Sequence, residues 1–81
     1  MNVNQIAPNQ ITFTDEQGNK FFQSYDTVIV KRTNNGIVTL DPDYKCSTTT
    51  SKYRAIFLGE TTKETEAKIK KGEYKIENLN D

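Results

Sequence analysis

Residues 27–40, TVIVKRTNNGIVTL, decide the fold of this chain. β-Branched residues dominate the first half of the segment, and they favour a strand because they pack well on a pleated surface. Residues 34–36 (NNG) follow, and Asn-Gly is the preferred pair for a tight type I′ turn. Residues 37–40 (IVTL) supply a returning strand, which ends before Pro42 because proline cannot donate to a strand ladder. The segment therefore predicts a β-hairpin.

A further hairpin is predicted upstream of this one. Residues 11–14 (ITFT) alternate apolar and polar side chains, the period of a half-buried strand. Residues 15–19 (DEQGN) are typical of a turn, and residues 20–24 (KFFQS) supply the partner strand. Residues 1–9 are polar and contain Pro8, so we interpret them as an ordered or fraying lead-in.

Downstream, residues 44–59 (YKCSTTTSKYRAIFLG) predict a short helix at about residues 50–58. A run of hydroxyl side chains supplies the N-cap, Tyr53, Ile56 and Phe57 have helical spacing, and Gly59 is a natural end.

A second helix is predicted immediately after Gly59. Thr61 and Glu64 have the spacing of a capping box, and Gly72 is suited to the C-terminal end. Residues 73–76 (EYKI) alternate again and predict a final edge strand. The fold class is therefore α+β, a single domain over residues 1–81 with an antiparallel β-meander of about four strands followed by two short helices. The pattern leaves open whether the sheet closes into a barrel.

Composition excludes several function classes. Eleven cations balance eleven acids, whereas a general DNA-coating protein carries a basic excess. With no His and only Cys46, the chain lacks the ligands of a structural zinc site and cannot form an intramolecular disulfide. No apolar run reaches the length of a membrane span, and the N-terminus does not resemble a signal peptide. A cytoplasmic location is therefore expected.

No pattern of catalytic residues is visible. Cys46 has no His to activate it, and residues 59–63 (GETTK) lack the glycines of a phosphate-binding loop. Asp41 and Asp43 flank Pro42 without the further ligands of a calcium loop, so they indicate a turn. We therefore expect no enzyme activity, no cofactor and no metal.

The one unusual surface predicted is basic and rich in hydroxyls. Residues 44–59 contain no acid, and free N–H groups at a helix start attract anions, which nearby cations reinforce. Tyrosine rings there would stack on exposed bases. The alternative is that one hydroxyl caps the helix, the others are solvated, and the strand-end cations only discourage strand pairing. The candidate residues for anion or nucleic-acid binding are Lys31, Arg32, Tyr44, Lys45, Thr48, Thr49, Thr50, Lys52, Tyr53 and Arg54.

Two segments carry a resemblance to a known family. Residues 20–29 (KFFQSYDTVI) and residues 51–80 (SKYRAIFLGETTKETEAKIKKGEYKIENLN) resemble a small uncharacterised domain family of bacteriophage and mobile-element proteins. The resemblance covers roughly residues 10–80 and implies an origin in a phage or integrated element. It implies no activity, because the family has no assigned chemistry.

Two functions are consistent with the sequence. The first is a small accessory protein that acts by non-catalytic binding to a protein partner, either a host protein or its own copy as a homo-oligomer. The second is a weak nucleic-acid-binding module that uses the basic, hydroxyl-rich helix N-terminus. Steep loss of affinity with salt would distinguish the second from the first.

Overall fold

A computed structural model describes residues 2–80, without the side chain of Asn2. One sheet contains six strands in the order β1-β2-β3-β4-β5-β6. Strands β1 to β5 pair antiparallel, and β6 pairs parallel to β5. The elements are β1 (Asn2–Ala7), β2 (Gln10–Thr14), β3 (Lys20–Ser24), β4 (Thr27–Arg32), β5 (Val38–Leu40), α1 (Thr48–Leu58), α2 (Thr62–Lys70) and β6 (Tyr74–Ile76). The predicted α+β class is confirmed, with a meander followed by two helices and a last strand.

Strand β1 lies where the sequence indicates only a polar lead-in. It pairs with β2 from Asn2 opposite Thr14 to Ala7 opposite Gln10, with a register shift next to Ala7. The two large apolar side chains of the strand, Val3 and Ile6, are three residues apart. Since a regular strand has a period of two, the pattern did not reveal it.

Backbone hydrogen bonds from Asp15 N to the Asn19 carbonyl and from Thr33 N to the Ile37 carbonyl close the two predicted hairpins, so each loop has three residues. The predicted type I′ turn at residues 34–36 is therefore wrong. Thr33 N donates to the Ile37 carbonyl at 2.8 Å, and Gly36 N donates to the Thr33 carbonyl at 2.9 Å. Within this loop only Gly36 has a positive φ, 85°, whereas a type I′ turn needs two such residues. The Thr33 hydroxyl also accepts from Ile37 N at 3.0 Å, which stabilises the longer loop.

The core lies on the sheet face that the helices cover. Its buried apolar residues come from β3, β4 and β5, and the rings of Tyr53 and Phe57 from α1 pack against them. Phe22, Val30 and Leu40 are direct cross-strand neighbours in this core. A bulge in β4 at Ile29, immediately before Val30, lets both residues be buried. The buried apolar residues are Phe22, Ile29, Val30, Val38 and Leu40.

Helix α1 buries a polar face, which corrects part of the predicted helix pattern. Tyr53 and Phe57 pack against the core as expected, but Ile56 is 60% exposed. Thr50 and Arg54, four residues apart and therefore on one helix face, are fully buried instead. The apolar spacing failed because this face of α1 packs over polar groups of the sheet and of the preceding loop.

Both helix starts have the predicted caps. The Ser47 hydroxyl accepts from Thr50 N at the start of α1. At α2, Thr61 accepts from Glu64 N at 3.1 Å and Glu64 accepts from Thr61 N at 2.9 Å, so the capping box is confirmed. Spacing identified the start of α2, because its capping bonds join residues three apart. For α1 the run of hydroxyls indicated a cap without specifying the residue, and the helix starts at Thr48, before the predicted start at about residue 50.

Gly36→Ala tests the three-residue loop. We expect a loss of about 1 to 2 kcal/mol of unfolding free energy, because alanine is strained at positive φ. No neighbouring atom would contact an added Cβ within 4 Å, so the loss reflects the backbone alone. Urea unfolding measures it, with Gly36→Asn as the milder control because asparagine tolerates this conformation. Equal stability of wild type and Gly36→Ala would contradict the loop geometry.

Candidate functional site

Arg54 is buried inside the predicted basic surface and is not exposed on it. Its Nη1 donates to the Tyr44 carbonyl and its Nη2 to the Thr62 hydroxyl. The guanidinium carbon also lies 5.4 Å from the centroid of the Tyr44 ring. Burial lowers the pKa of Arg54, with a smaller opposing effect from Tyr44 and nearby carboxylates. Arg54 therefore joins α1 to the preceding loop and to the start of α2, and no ligand reaches it.

The hydroxyl run mostly serves the helix start. Thr50 is fully buried, and its hydroxyl lies 2.8 Å from that of Ser24 and accepts from Ser47 at 3.0 Å. Ser47 caps α1, while Thr48 and Thr49 are exposed. The prediction that Thr50 belongs to an exposed anion-binding site is corrected, because its buried hydroxyl links α1 to Ser24 of β3. Ser47 instead fits the alternative interpretation, in which one hydroxyl of the run caps the helix.

The other cations of this region differ in their surroundings. Lys45 Nζ lies 2.5 Å from Glu66 Oε2, and the Tyr44 hydroxyl donates to the same oxygen at 3.4 Å. The hydrogen bond with Lys45 lowers the pKa of Glu66, and the same bond raises the pKa of Lys45. Lys52 is exposed and lies over the ring of Tyr53. The sequence missed Glu66 as a neighbour because it comes from α2.

Arg54→Met tests the structural role of the guanidinium. We expect a loss of about 3 kcal/mol of unfolding free energy, because two hydrogen bonds to a charged group are removed and their acceptors stay partly buried. Urea unfolding measures the change, and the exposed Lys52→Met is the matched control, expected to change stability by less than about 0.5 kcal/mol. Similar losses in both variants would contradict this role.

A second polar cluster joins α2 to β6. Lys68 Nζ lies 2.8 Å from Glu60 Oε2, and the Tyr74 hydroxyl donates to Glu60 Oε1. Burial raises the pKa of the Glu60 carboxyl, but the hydrogen bonds from Lys68 and Tyr74 together outweigh burial and leave this pKa lowered. Burial, with the hydrogen bond to Glu60, raises the pKa of Tyr74. The cluster is a contact between elements within the fold.

Glu60→Gln tests this cluster through pH. A carboxyl whose pKa is lowered in the folded state stabilises the fold above its unfolded pKa, 4.5, and loses that contribution as pH falls through the folded value. We therefore expect the unfolding free energy of wild type to fall below about pH 4.5, and that of Glu60→Gln to fall less. Urea unfolding at pH 7 and pH 3 measures the difference. The exposed Glu77→Gln is the control, and an unchanged pH dependence in Glu60→Gln would contradict the interpretation.

A basic groove lies on the helix-covered face of the sheet, at the end where β3 begins and β4 ends. Lys20 of β3 is the direct cross-strand neighbour of Arg32 of β4. The Arg32 guanidinium carbon lies 5.0 Å from the centroid of the Phe57 ring of α1. The groove encloses about 380 Å³, and a neighbouring cleft of about 240 Å³ shares both cations. We call it the basic groove, and its lining residues are Asn4, Thr12, Phe13, Thr14, Lys20, Arg32 and Phe57.

Of the predicted candidates, only Arg32 lies in the basic groove. Lys31 is the cross-strand neighbour of Phe21 and therefore points to the opposite sheet face. The sequence missed Lys20 because its proximity to Arg32 depends on the hairpin register. One pattern in the sequence could have indicated it. Lys20 lies two residues before Phe22 and Arg32 lies two residues after Val30, so each cation shares a sheet face with a core residue.

The opposite sheet face carries an apolar strip beside the open edge. Val3, Phe13 and Phe21 are successive cross-strand neighbours, and the two Phe rings stack with centroids 4.8 Å apart. Val3 is 58% exposed, and the edge of β1 away from β2 pairs with none of the described strands. We call Val3, Phe13 and Phe21 the outer strip.

A third cleft is acidic, at the other end of β4. Asp41 is buried, and its Oδ1 accepts from Leu79 N and from Asn80 Nδ2, both at 2.9 Å. Its Oδ2 accepts from Asp43 N at 3.0 Å, which confirms the predicted turn. Asn80 also bonds the backbone of Val28, so this cleft fixes the C-terminal segment to β4. Within residues 2–80, no group of three His, Cys, Asp or Glu side chains has a metal-binding arrangement.

The fold and these surfaces define a small α+β domain with a six-stranded sheet. Over residues 1–75 the chain matches the model of a family of unknown function, DUF8033, and therefore belongs to that family. No curated protein and no solved structure matches the chain. Among residues 2–80, no helix is long and apolar enough to cross a membrane.

Proposed function

We propose that this protein is a non-catalytic binding module whose partner is a second copy of its own chain, paired through strand β1. The observation that supports it is the open edge of β1, which has six residues and no charged side chain. An unpaired strand edge presents a row of N–H and C=O groups that a further strand satisfies. Addition of a strand therefore needs no rearrangement of the sheet.

The two sheet edges differ in a way that supports this choice. Strand β6, at the other edge, has three residues, with Lys75 in the middle and Glu73 and Glu77 on either side. Short length and charge are the usual protections of a strand edge against pairing. Strand β1 has neither, so β1 is the edge suited to pairing.

The outer strip extends the surface from this edge onto the sheet. Val3 lies on β1 and continues directly to the stacked Phe13 and Phe21 rings. Burial of apolar and aromatic surface is the main favourable contribution to association. A partner strand at β1 would also cover part of Val3.

Charge supports a second copy as the partner. The chain has eleven cations and eleven acids, so two copies have no net repulsion at long range. Neither β1 nor the outer strip contains a charged side chain. Like charges therefore do not meet when two β1 strands approach.

The proposed role is non-catalytic because the available groups suit structure better than chemistry. The chain has no His, and the Cys46 thiol faces the Thr50 hydroxyl at 3.5 Å, which is no base. The carboxylates of Glu60, Glu66 and Asp41 are all engaged in hydrogen bonds within the fold. No cofactor is part of the proposal.

The alternative function, nucleic-acid binding at the start of α1, receives less support from the geometry. Arg54 and Thr50 are buried, and Lys45 is paired with Glu66. These three residues supply much of the charge and hydrogen bonding that the alternative needs. Of the three cations in residues 44–59, only Lys52 is then exposed and outside an ion pair, and one such cation makes a weak site.

We further propose a phage or mobile-element origin and a cytoplasmic location in the host cell. The resemblance of residues 20–29 and 51–80 to domains of such proteins supports the origin. The genes beside the coding sequence test it. Neighbouring genes for phage structure or integration support the origin, and a housekeeping operon contradicts it.

Val3→Lys tests dimerisation through β1. We expect the wild type to form dimers at high concentration, and the variant to raise the dimer dissociation constant at least about tenfold, equivalent to about 1.4 kcal/mol. The reason is that each copy places a charge in the paired edge. Sedimentation equilibrium over a range of concentrations measures both constants.

Ile56→Lys is the matched control, because Ile56 is equally apolar and 60% exposed but lies on α1. It should dimerise as wild type does. A wild type that stays monomeric at every concentration contradicts the proposal, and so does an equal effect of both variants. If wild type captures a host protein and Val3→Lys does not, the partner at the β1 edge is that host protein and the proposal of a second copy is wrong.

A further inference from the structure

We propose that the basic groove is a phosphate-binding site in which Lys20 and Arg32 contact the phosphate oxygens. Its two cations lie on β3 and β4, away from the β1 edge, although Asn4 of β1 also lines the groove. Of the residues predicted for anion binding, the site contains only Arg32. Lys20 and Arg32 are adjacent on one sheet face, and hydroxyl and amide side chains share the groove with them. Guanidinium, ammonium and hydroxyl donors are the groups that proteins use to bind phosphate.

The two cations repel each other in the fold as it stands. They are direct cross-strand neighbours, and like charges in that position destabilise a sheet. Within residues 2–80, the ion pairs are Lys45 with Glu66 and Lys68 with Glu60. Neither groove cation is therefore neutralised by the part of the chain that the structure describes. A bound dianion would remove the repulsion and use both charges.

Phe57 holds the guanidinium of Arg32 at one wall of the groove. The guanidinium carbon lies 5.0 Å from the ring centroid, within the range of a cation–π contact. Phe57 itself stacks against the buried Phe22, with centroids 6.0 Å apart. Arg32 is thus attached to the core through two rings, so less side-chain freedom is lost when a ligand binds.

Acids come close to these strands at two places. At the first, Asp15 follows the lining residue Thr14, but its carboxylate accepts hydrogen bonds from Gln17 N, Asn19 N and Asn19 Nδ2 within the turn.

The second place is distant from the groove. Asp26, Asp41 and Asp43 line the acidic cleft at the Thr27 end of β4, whereas the basic groove lies at the Arg32 end. A six-residue strand spans roughly 17 Å, which exceeds the screening length of about 8 Å at physiological salt. The acidic cleft therefore does not cancel the positive potential of the groove.

The size and openness of the groove favour a ligand that carries one or a few phosphates. The basic groove has a volume of about 380 Å³, and the neighbouring cleft, which shares Lys20 and Arg32 with it, has a volume of about 240 Å³. Thr12 and Thr14 add hydroxyl donors, and Asn4 adds an amide. Phosphate of this kind comes from a small phosphorylated molecule or from a nucleic-acid strand, and the chemistry of recognition is the same.

NMR titration, in which backbone amide chemical shifts are monitored as a probe is added, tests the site. The three probes are inorganic phosphate, adenosine monophosphate and a twelve-nucleotide thymidine oligonucleotide. We expect the largest shifts at Lys20, Arg32 and Thr14. Lys20→Gln should weaken binding at least about fivefold, since one of two charges is removed. Lys63→Gln, an exposed lysine on α2, is the matched control and should bind as wild type does.

The outcomes separate the two sources of phosphate. Tighter binding of adenosine monophosphate or inorganic phosphate than of the oligonucleotide indicates a small phosphorylated ligand. Tighter binding of the oligonucleotide, with affinity that falls steeply with salt, indicates a nucleic-acid strand. The proposal is overturned if none of the three probes causes a saturable chemical-shift change at the groove. It is also overturned if Lys20→Gln binds the probes as tightly as wild type does.

Two further variants exclude indirect effects. Arg32→Lys keeps the charge and the fold but loses the fork of donors, so it should bind more weakly than wild type. Val3→Lys, which disrupts the proposed dimer, should bind phosphate as wild type does. Dimerisation through β1 and phosphate binding in the groove are therefore tested independently, and either proposal can fail while the other holds.

Discussion

The row formed by Phe22, Val30 and Leu40 is the contact on which the rest of the structure depends. These residues are neighbours on three successive strands, and all are fully buried. Because strand side chains alternate between faces, this row also fixes the faces of the residues from Lys20 to Phe22 on β3 and from Val30 to Arg32 on β4, where the pairing is regular. It places Lys20 beside Arg32 under the helices, and Phe21 beside Lys31 on the opposite face. The basic groove and the outer strip are both consequences of one register.

The core is thin, and polar contacts supply much of what holds α1 in place. Thr50 and Arg54 occupy the buried helix face, where larger domains usually place leucine or valine. Arg54 bonds to Tyr44 and Thr62, and Thr50 bonds to Ser24, so the contacts join the loop, both helices and β3. A buried polar group without a partner is costly, and these bonds offset most of that cost, while Arg54 Nε has no hydrogen-bond partner among the described residues. This arrangement explains why so few apolar residues are enough to position the two helices.

The same constraint separates residues with similar sequence signals. Lys45, Lys52 and Arg54 lie within ten residues of one another, yet one is paired with Glu66, one is exposed and one is buried. Lys20 and Arg32 are twelve residues apart and adjacent in space. Clustering along the chain was therefore a poor guide to which charges face a common ligand, because tertiary packing decides exposure.

Local patterns predicted much of the fold because their causes are local. The capping box at Thr61, the hairpin at residues 27–40 and the last strand depend on contacts within a few residues or on a clear period. Strand β1 was missed because its apolar spacing is three, and Ile56 was misplaced because α1 packs on a polar surface. In the candidate site, Arg32 was the one predicted residue that lies in the groove.

The sequence by itself determined the α+β class, the order of most elements and the ends of both helices. Turn chemistry, capping and periodicity are short-range effects that residue identity controls directly. Only the tertiary structure decided that β1 is an open edge, that Arg54 is internal and that Lys20 meets Arg32. Those features depend on strand register and on which helix face meets the sheet. Both are set by the packing of residues that are distant in the chain, which a short sequence window does not contain.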